Sequence, residues 1–281
     1  MPLFRQKDYP ALRREVFGIE FPHPVALSPG FLPNGERYNT FRSFSFVEIG
    51  PLTIQPQEES RVKGIFSQRK RNSTPAALSN KGIRNSIDHI QSHPPRTRIA
   101  ANIAPMSDHV STESIVADMT SAFSLMYDFA DMFVVDTFRQ NSDGVAPLQN
   151  TDILSEVMDS ILDLRRCYDE AKPIVVRVST FISRSILSSM LDYMRYSGID
   201  GVIAGYDSYP LDLVKDIARM TDGRFPVIAC GNIDNAIKAE ELLSAGASLV
   251  QVTHTTASSI LSYLDGKAKG TDPASYRDSI D

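Results

Sequence analysis

The chain has 281 residues, 42% hydrophobic and 22% charged, an ordinary globular composition with enough apolar material for one large domain or two small ones. Its net charge of -5 argues against general nucleic-acid affinity, which needs a basic face to neutralise phosphates. Two cysteines, Cys167 and Cys230, are too few for a disulfide framework or a zinc centre, and no apolar run approaches the roughly 20 residues of a membrane span.

The opening stretch MPLFRQKDYPALRREVFG lacks the unbroken apolar core of a signal peptide, so a cytoplasmic, reducing setting is expected. Phe17 to Leu27 reads as a short hairpin broken by Pro22 and Pro24, then a strand running into Ser28-Pro29-Gly30. A helix is expected around Gly35 to Phe44, and a strand at Phe46 to Ile49 ending on Gly50-Pro51. A long loop follows from Gln55 to Asn80, with a second hairpin near Lys63 to Gln68 and a basic cluster, Arg61, Lys63, Arg69, Lys70 and Arg71, read as solvated.

From there the pattern is regular. Helices are predicted at Gly82 to Gln91, Ser111 to Tyr127, Thr151 to Tyr168, Ser183 to Tyr196, Leu211 to Met220 and Asn235 to Ala245. Strands are predicted at Arg98 to Asn102, from Met132, at Pro173 to Val178, Gly201 to Ala204, Pro226 to Ala229 and Ser248 to Val252. Strands alternating with helices of these lengths mean a parallel sheet, and counting from Val25 there are eight. We therefore expect an α/β protein, a (β/α)8 TIM barrel with a short N-terminal hairpin, forming a single domain over residues 1–281. An open doubly wound sheet competes, weakened because no G-x-G-x-x-G follows the first strand.

The stretch that draws attention is Ala130 to Gln149, ADMFVVDTFRQNSDGVAPLQ. Its apolar run fits a strand buried on both faces, and polar residues begin where the strand ends. In a barrel of parallel strands such a loop carries the active site; the plainer reading is a solvated turn.

With the strands placed, several segments together resemble the dihydroorotate dehydrogenase family. FGIEFPHPVALSPGFLPNGE (17–36) is similar to its entry hairpin and first strand, and FVEIGPLTIQPQ (46–57) to its second strand and exit. LSNKG (78–82), Arg98 to Ile103, the Ala130 to Gln149 loop and AGASLVQ (245–251) match further family segments, so the resemblance runs from Phe17 to Thr256. It implies an FMN-dependent oxidation of dihydroorotate to orotate in pyrimidine synthesis. A loop base would take a proton from the substrate while the flavin accepts hydride.

Carried over position by position, the resemblance assigns Gly30, Asn102, Arg177, Gly231, Asn232, His254 and Thr255 to cofactor binding, and Asn80, Asp136 and Asn141 to substrate. It also shows departures. The base position, serine or cysteine in the family, is Arg139, and arginine with a pKa above about 12 is no base near neutral pH. Pro33 replaces a lysine, Pro51 a hydroxyl residue, Arg177 the fifth-strand lysine, and Asp136 and Gly205 two substrate asparagines. Ser142 and His254 are the candidate substitutes for the lost base.

Two functional readings stand. One is an FMN-type oxidoreductase acting on a small-molecule substrate. The other is a non-catalytic paralogue with a degenerate site that binds an anionic ligand or a partner protein. Neither involves nucleic acid or a membrane span, and a homodimer would resemble the family's soluble class. For single residues the plainer alternatives remain: His254 as a surface histidine, Cys230 as packing, and Arg139 and Arg177 as partners of Asp136 and Glu48.

Overall fold

A computed structural model describes residues 8–57, 79–141, 143–206 and 208–271. The second predicted hairpin, the basic cluster and Ser142 lie outside the described residues.

The chain opens with an antiparallel hairpin, β1 (Arg14–Val16) and β2 (Ile19–Phe21), whose register pairs Val16 with Ile19. The intervening Phe17 and Gly18 both take positive φ, the backbone of a two-residue turn matched to strand twist. The hairpin thus begins three residues before its predicted start, and Pro22 and Pro24 end it as expected.

Eight parallel strands follow: β3 (Val25–Leu27), β4 (Phe46–Leu52), β5 (Arg98–Ile103), β6 (Met132–Asp136), β7 (Ile174–Val178), β8 (Gly201–Ala204), β9 (Val227–Cys230) and β10 (Leu249–Val252). They pair in the order β3-β10-β9-β8-β7-β6-β5-β4. The ends of that series meet where Ser45 donates both its backbone N–H and its hydroxyl to the carbonyl of Val25, at 3.0 and 2.9 Å, bringing the sheet to a nearly closed (β/α)8 barrel.

Among the described residues seven α-helices surround it: α1 (Ile83–Ser92), α2 (Thr112–Met126), α3 (Thr151–Arg165), α4 (Arg184–Ser197), α5 (Leu211–Met220), α6 (Ala236–Ser244) and α7 (Ala257–Ala268). Several start on a capping side chain: Ser111 accepts from Ser114 N, Asn150 from Asp152 N and Ile153 N, Ser183 from Ile186 N, and Asn235 from Lys238 N. α7 lies beyond the last element predicted from sequence. The helix expected at Gly35 to Phe44 is instead a short 3-10 turn, Tyr38–Phe41. Gly35 and Arg37 both sit at left-handed φ, which interrupts a right-handed helix.

Strand alternation sorts the core into two layers. Residues such as Phe133, Val135, Val176 and Val202 face outward into the helix layer, where Phe133 meets Phe123 at 4.4 Å between ring centroids. The inward set includes Ala26, Phe46, Ala100, Met132, Val134, Val175, Ile203, Ile228 and Leu249. The hairpin closes the amino-terminal end, with the Phe21 ring edge-on to Phe46. That leaves the carboxyl-terminal mouth as the open end of the barrel.

Candidate functional site

Stepping two residues along a strand keeps a side chain on the same face. The inward positions above the apolar layer are therefore 48 after Phe46, 102 after Ala100, 136 after Val134, 177 after Val175 and 251 after Leu249. The sequence places Glu48, Asn102, Asp136, Arg177 and Gln251 there, so an apolar barrel ends in a polar ceiling.

Arg177 is its centre and is fully buried. Its Nη2 donates to Glu48 Oε2 at 2.5 Å, and its Nη1 donates to Glu48 Oε1 at 2.9 Å and to Asp136 Oδ2 at 3.0 Å. Gln251 Nε2 donates to Glu48 Oε2 at 2.8 Å, and Asn102 Nδ2 to Glu48 Oε1 at 2.9 Å. Burial disfavours the Arg177 charge, but Glu48 and Asp136 outweigh it and hold its pKa above the ordinary arginine value. Glu48, Asn102 and Gln251 are each 3% exposed or less, so the cluster is closed to solvent except at Asp136, whose side chain is 17% exposed.

Tyr206 covers it. The residue follows β8, three strands round the barrel from β3, yet a Cβ added to Gly30 at the exit of β3 would lie 3.8 Å from the Tyr206 hydroxyl. The phenol thus reaches across the mouth, its ring centre 5.8 Å from the Arg177 guanidinium carbon. Burial pushes the phenol's pKa up, with Arg177 pulling it back.

Arg139, on the loop after β6, is held differently. The residue is partly buried, but its Nε and Nη2 are shut off from water with no hydrogen-bond partner. Burial lowers its pKa to about 10, against the opposing pull of Asp136. A desolvated cation with an unpartnered edge weakens the fold, so Arg139→Leu is expected to raise stability by about 1–2 kcal/mol, roughly 2–8 °C in Tm. Because the folded pKa lies below the unfolded one, the penalty is complete below pH 10 and fades above it. Thermal melts of both proteins between pH 7 and pH 11 check this; a leucine variant less stable at pH 7 would refute it.

The remaining predicted residues separate into groups. Asn80 is buried, and its Oδ1 accepts from Gly82 N and Thr53 Oγ1; those donors fix the carbonyl side and leave Nδ2 unpartnered. Asn102 is fixed the opposite way round, its Nδ2 on Glu48 and its Oδ1 unpartnered. The oxygen of Asn141 is spent within its own loop, accepting from Asp143 N and Val145 N. Asp136 is committed to Arg177 and to Phe138 N.

After β9, Gly231 and Asn232 take positive φ, and a Cβ at Gly231 would lie 2.4 Å from the Ser208 carbonyl oxygen. After β10, His254 and Thr255 are exposed, and the His254 ring sits edge-on to Phe31 and Phe41 at 5.4 and 6.1 Å. His254 therefore stands with an aromatic rim, while the charged cluster lies inside the barrel. Cys230 packs inside the barrel beneath the mouth.

Four residues of the mouth were not among the predicted site residues: Glu48, Gln251, Tyr206 and Gln57. The first two carried a signal, a polar residue two places beyond an inward apolar one. Gln57 is buried with Oε1 accepting from Ser107 N and Nε2 unpartnered. The unpartnered atoms of Gln57, Asn80, Asn102, Arg139 and Arg177 thus all come from the carboxyl-terminal ends of four consecutive strands, β4 to β7, or the loops that follow them.

Comparison with known proteins gives this geometry a context. The family model described as dihydroorotate dehydrogenase matches residues 11–209. Among curated relatives, "Dihydroorotate dehydrogenase (quinone)" of Christiangramia forsetii is 27% identical over 277 residues, covering 89% of this chain and 81% of that protein. The protein of the same name from Psychromonas ingrahamii is 28% identical over 282 residues, covering 85% and 80%. The Eimeria tenella DHODH crystal structure with ferulenol superposes with a TM-score of 0.78 at 19% identity, over 96% of this chain and 86% of that one. The ligand-free form gives 0.77 at 20%, over 96% and 88%. At that identity the structural likeness speaks to the fold.

Proposed function

Since this chain belongs to the dihydroorotate dehydrogenase family, we propose that it keeps the family's barrel as a scaffold for a small anionic ligand and does not turn over dihydroorotate. The observation that carries this reading is the closed cluster of Glu48, Arg177, Asp136 and Gln251 under Tyr206.

The family's FMN supplies a hydride acceptor when bound, and its ring needs an open polar face at the mouth. The residues present do not fit that ring. The family's flavin-facing lysine is Arg177 here, whose Nη1 and Nη2 are already engaged by carboxylates and which is itself fully buried. Tyr206 crosses the mouth to the Gly30 turn, where the ring would lie. The position that Gly205 takes has no space for a side chain, since a Cβ there would stand 2.6 Å from the Cys230 carbonyl oxygen.

Proton abstraction meets a separate obstacle. Even with its pKa lowered to about 10, Arg139 is neutral in only about one molecule in a thousand at pH 7. A positioned base is worth about 10² to 10⁴ in rate, and that factor is missing.

The purified protein is expected to be colourless, to leave FMN fluorescence unquenched, and to form no orotate from dihydroorotate with a dye or quinone acceptor. Arg139→Ser is expected to form none either, because Arg177 and Tyr206 still close the mouth and Gly205 still offers no substrate amide. A yellow preparation bleached by dihydroorotate would defeat the proposal. Among the described residues no helix is long and apolar enough to cross a membrane.

A further inference from the structure

We infer that the cavity between α4 and the outside of the barrel wall is a second ligand site, and that it takes a small, neutral aromatic molecule carrying a carboxamide. The site is separate from the barrel mouth and stands whether or not flavin binds there.

Position is the first support. Thr137 directly follows the inward-facing Asp136, so strand alternation turns its side chain to the helix side of the wall, where its hydroxyl donates to the Arg177 carbonyl at 2.8 Å. Ile186 and Met190 stand one turn apart on α4. The turn Pro147–Gln149 brings Gln149, and the loop between β7 and α4 brings Phe181 and Ile182. Together they line a cavity of about 370 Å³. Sites for small organic ligands run from about 300 to 1,000 Å³, so this one suits a single ring and its substituent.

The second support is Phe181. It is 80% exposed, the most of any phenylalanine among the described residues, and Ile186 on the same cavity is 47% exposed. Its backbone is nevertheless pinned. Phe181 N donates to Ser179 Oγ at 3.0 Å, Ile182 N to the Ser179 carbonyl at 3.2 Å, and Ser183 caps α4 by accepting from Ile186 N. A structured loop thus holds an apolar ring in water at the edge of an apolar cavity, and the ring gives a ligand a face to stack on. Met190, buried against the core, adds a polarisable thioether that favours an aromatic guest.

The third support is polarity. Every residue that lines the cavity is uncharged, so a carboxylate, phosphate or ammonium would lose its water there without gaining a counter-charge. Thr137 spends its hydroxyl proton on the Arg177 carbonyl, and Ser183 Oγ is engaged at the start of α4. The carboxamide of exposed Gln149 offers both a carbonyl and N–H donors at the rim, the complement of a ligand's own amide.

The test uses the full chain with benzamide and with sodium benzoate at matched ionic strength, read by thermal midpoint and by saturation transfer to the ligand in NMR. The two probes share a shape and differ in charge. Benzamide is expected to raise the midpoint with concentration and to receive saturation. Phe181→Ala, at a position too exposed to carry the fold, should weaken benzamide binding about three- to tenfold, and Gln149→Ala about two- to tenfold. Ile186→Trp, which fills the cavity from its rim, should abolish it. Any benzoate response should be the same in the parent and in Phe181→Ala. Absence of a benzamide response, a response unchanged in Phe181→Ala or in Ile186→Trp, or a benzoate response that depends on Phe181 as the benzamide response does, would each overturn the inference.

Discussion

Arg177→Met is expected to destabilise the protein by about 3–5 kcal/mol, the usual effect of removing one partner from a buried ion pair. At roughly 2–4 °C per kcal/mol for a domain of this size, the thermal midpoint falls by about 10 °C. The loss is this large because Glu48, 1% exposed, would keep only the amides of Gln251 and Asn102. Asp136 loses less, having the Phe138 N–H and some access to water. The double variant Glu48→Leu/Arg177→Met should recover most of the stability, since an apolar pair of similar volume avoids the desolvation of both ions. Thermal and urea melts of the two variants decide the matter. If the single variant melts within a degree of the parent, the cluster is not the closed element on which the absence of flavin was argued. Its pH behaviour follows from the same pairing. The folded pKa of Arg177 lies above the unfolded one, so its contribution is complete below the ordinary arginine range and is lost only as pH rises past the folded value, beyond any practical condition.

Gly205→Asn, which places an amide where the resemblance expects one, is expected to cost about 2–5 kcal/mol and to create no substrate contact. The backbone there has φ +86°, which an L side chain adopts with strain. A Cβ would also stand 2.6 Å from the Cys230 carbonyl oxygen, 3.0 Å from Pro210 Cβ and 3.1 Å from Thr180 Cγ2. The nearest of these is backbone, which moves only with its strand, so overpacking adds about 1–3 kcal/mol to the strain. Melting temperature and soluble yield measure the effect. A variant as stable as the parent would mean that the end of β8 relaxes freely, and that the mouth has room for the family's side chain.

The barrel was legible in the sequence because its evidence is local. Runs such as Met132 to Val135 and Ile174 to Val176 read as buried strands, and they alternate with helical stretches of regular length along the chain. The missed feature near the start had the opposite character. Gly35 and Arg37 take left-handed backbone, a choice that the apolar spacing from residue 35 to 44 does not reveal.

The substitutions at Arg139, Arg177, Asp136 and Gly205 were likewise readable one at a time, as residue types unsuited to an expected role. The pairing of Arg177 with Asp136 and Glu48 was one open alternative among others, and only the fold selected it, because the partners lie far apart in sequence. Arg177 and Glu48 are separated by 129 positions and Gln251 and Glu48 by 203, and only closure of the sheet brings them within hydrogen-bonding distance. The same closure decides that Arg177 is spent on carboxylates while Arg139, with the same side chain, is left with an unmatched edge. Residue chemistry alone led to the expectation that arginine stands where the family's proton acceptor would be. The tertiary structure decided that the space above the barrel is filled by Tyr206 and a paired charge cluster, because burial and pairing are properties of an enclosed volume, and no single strand encloses one.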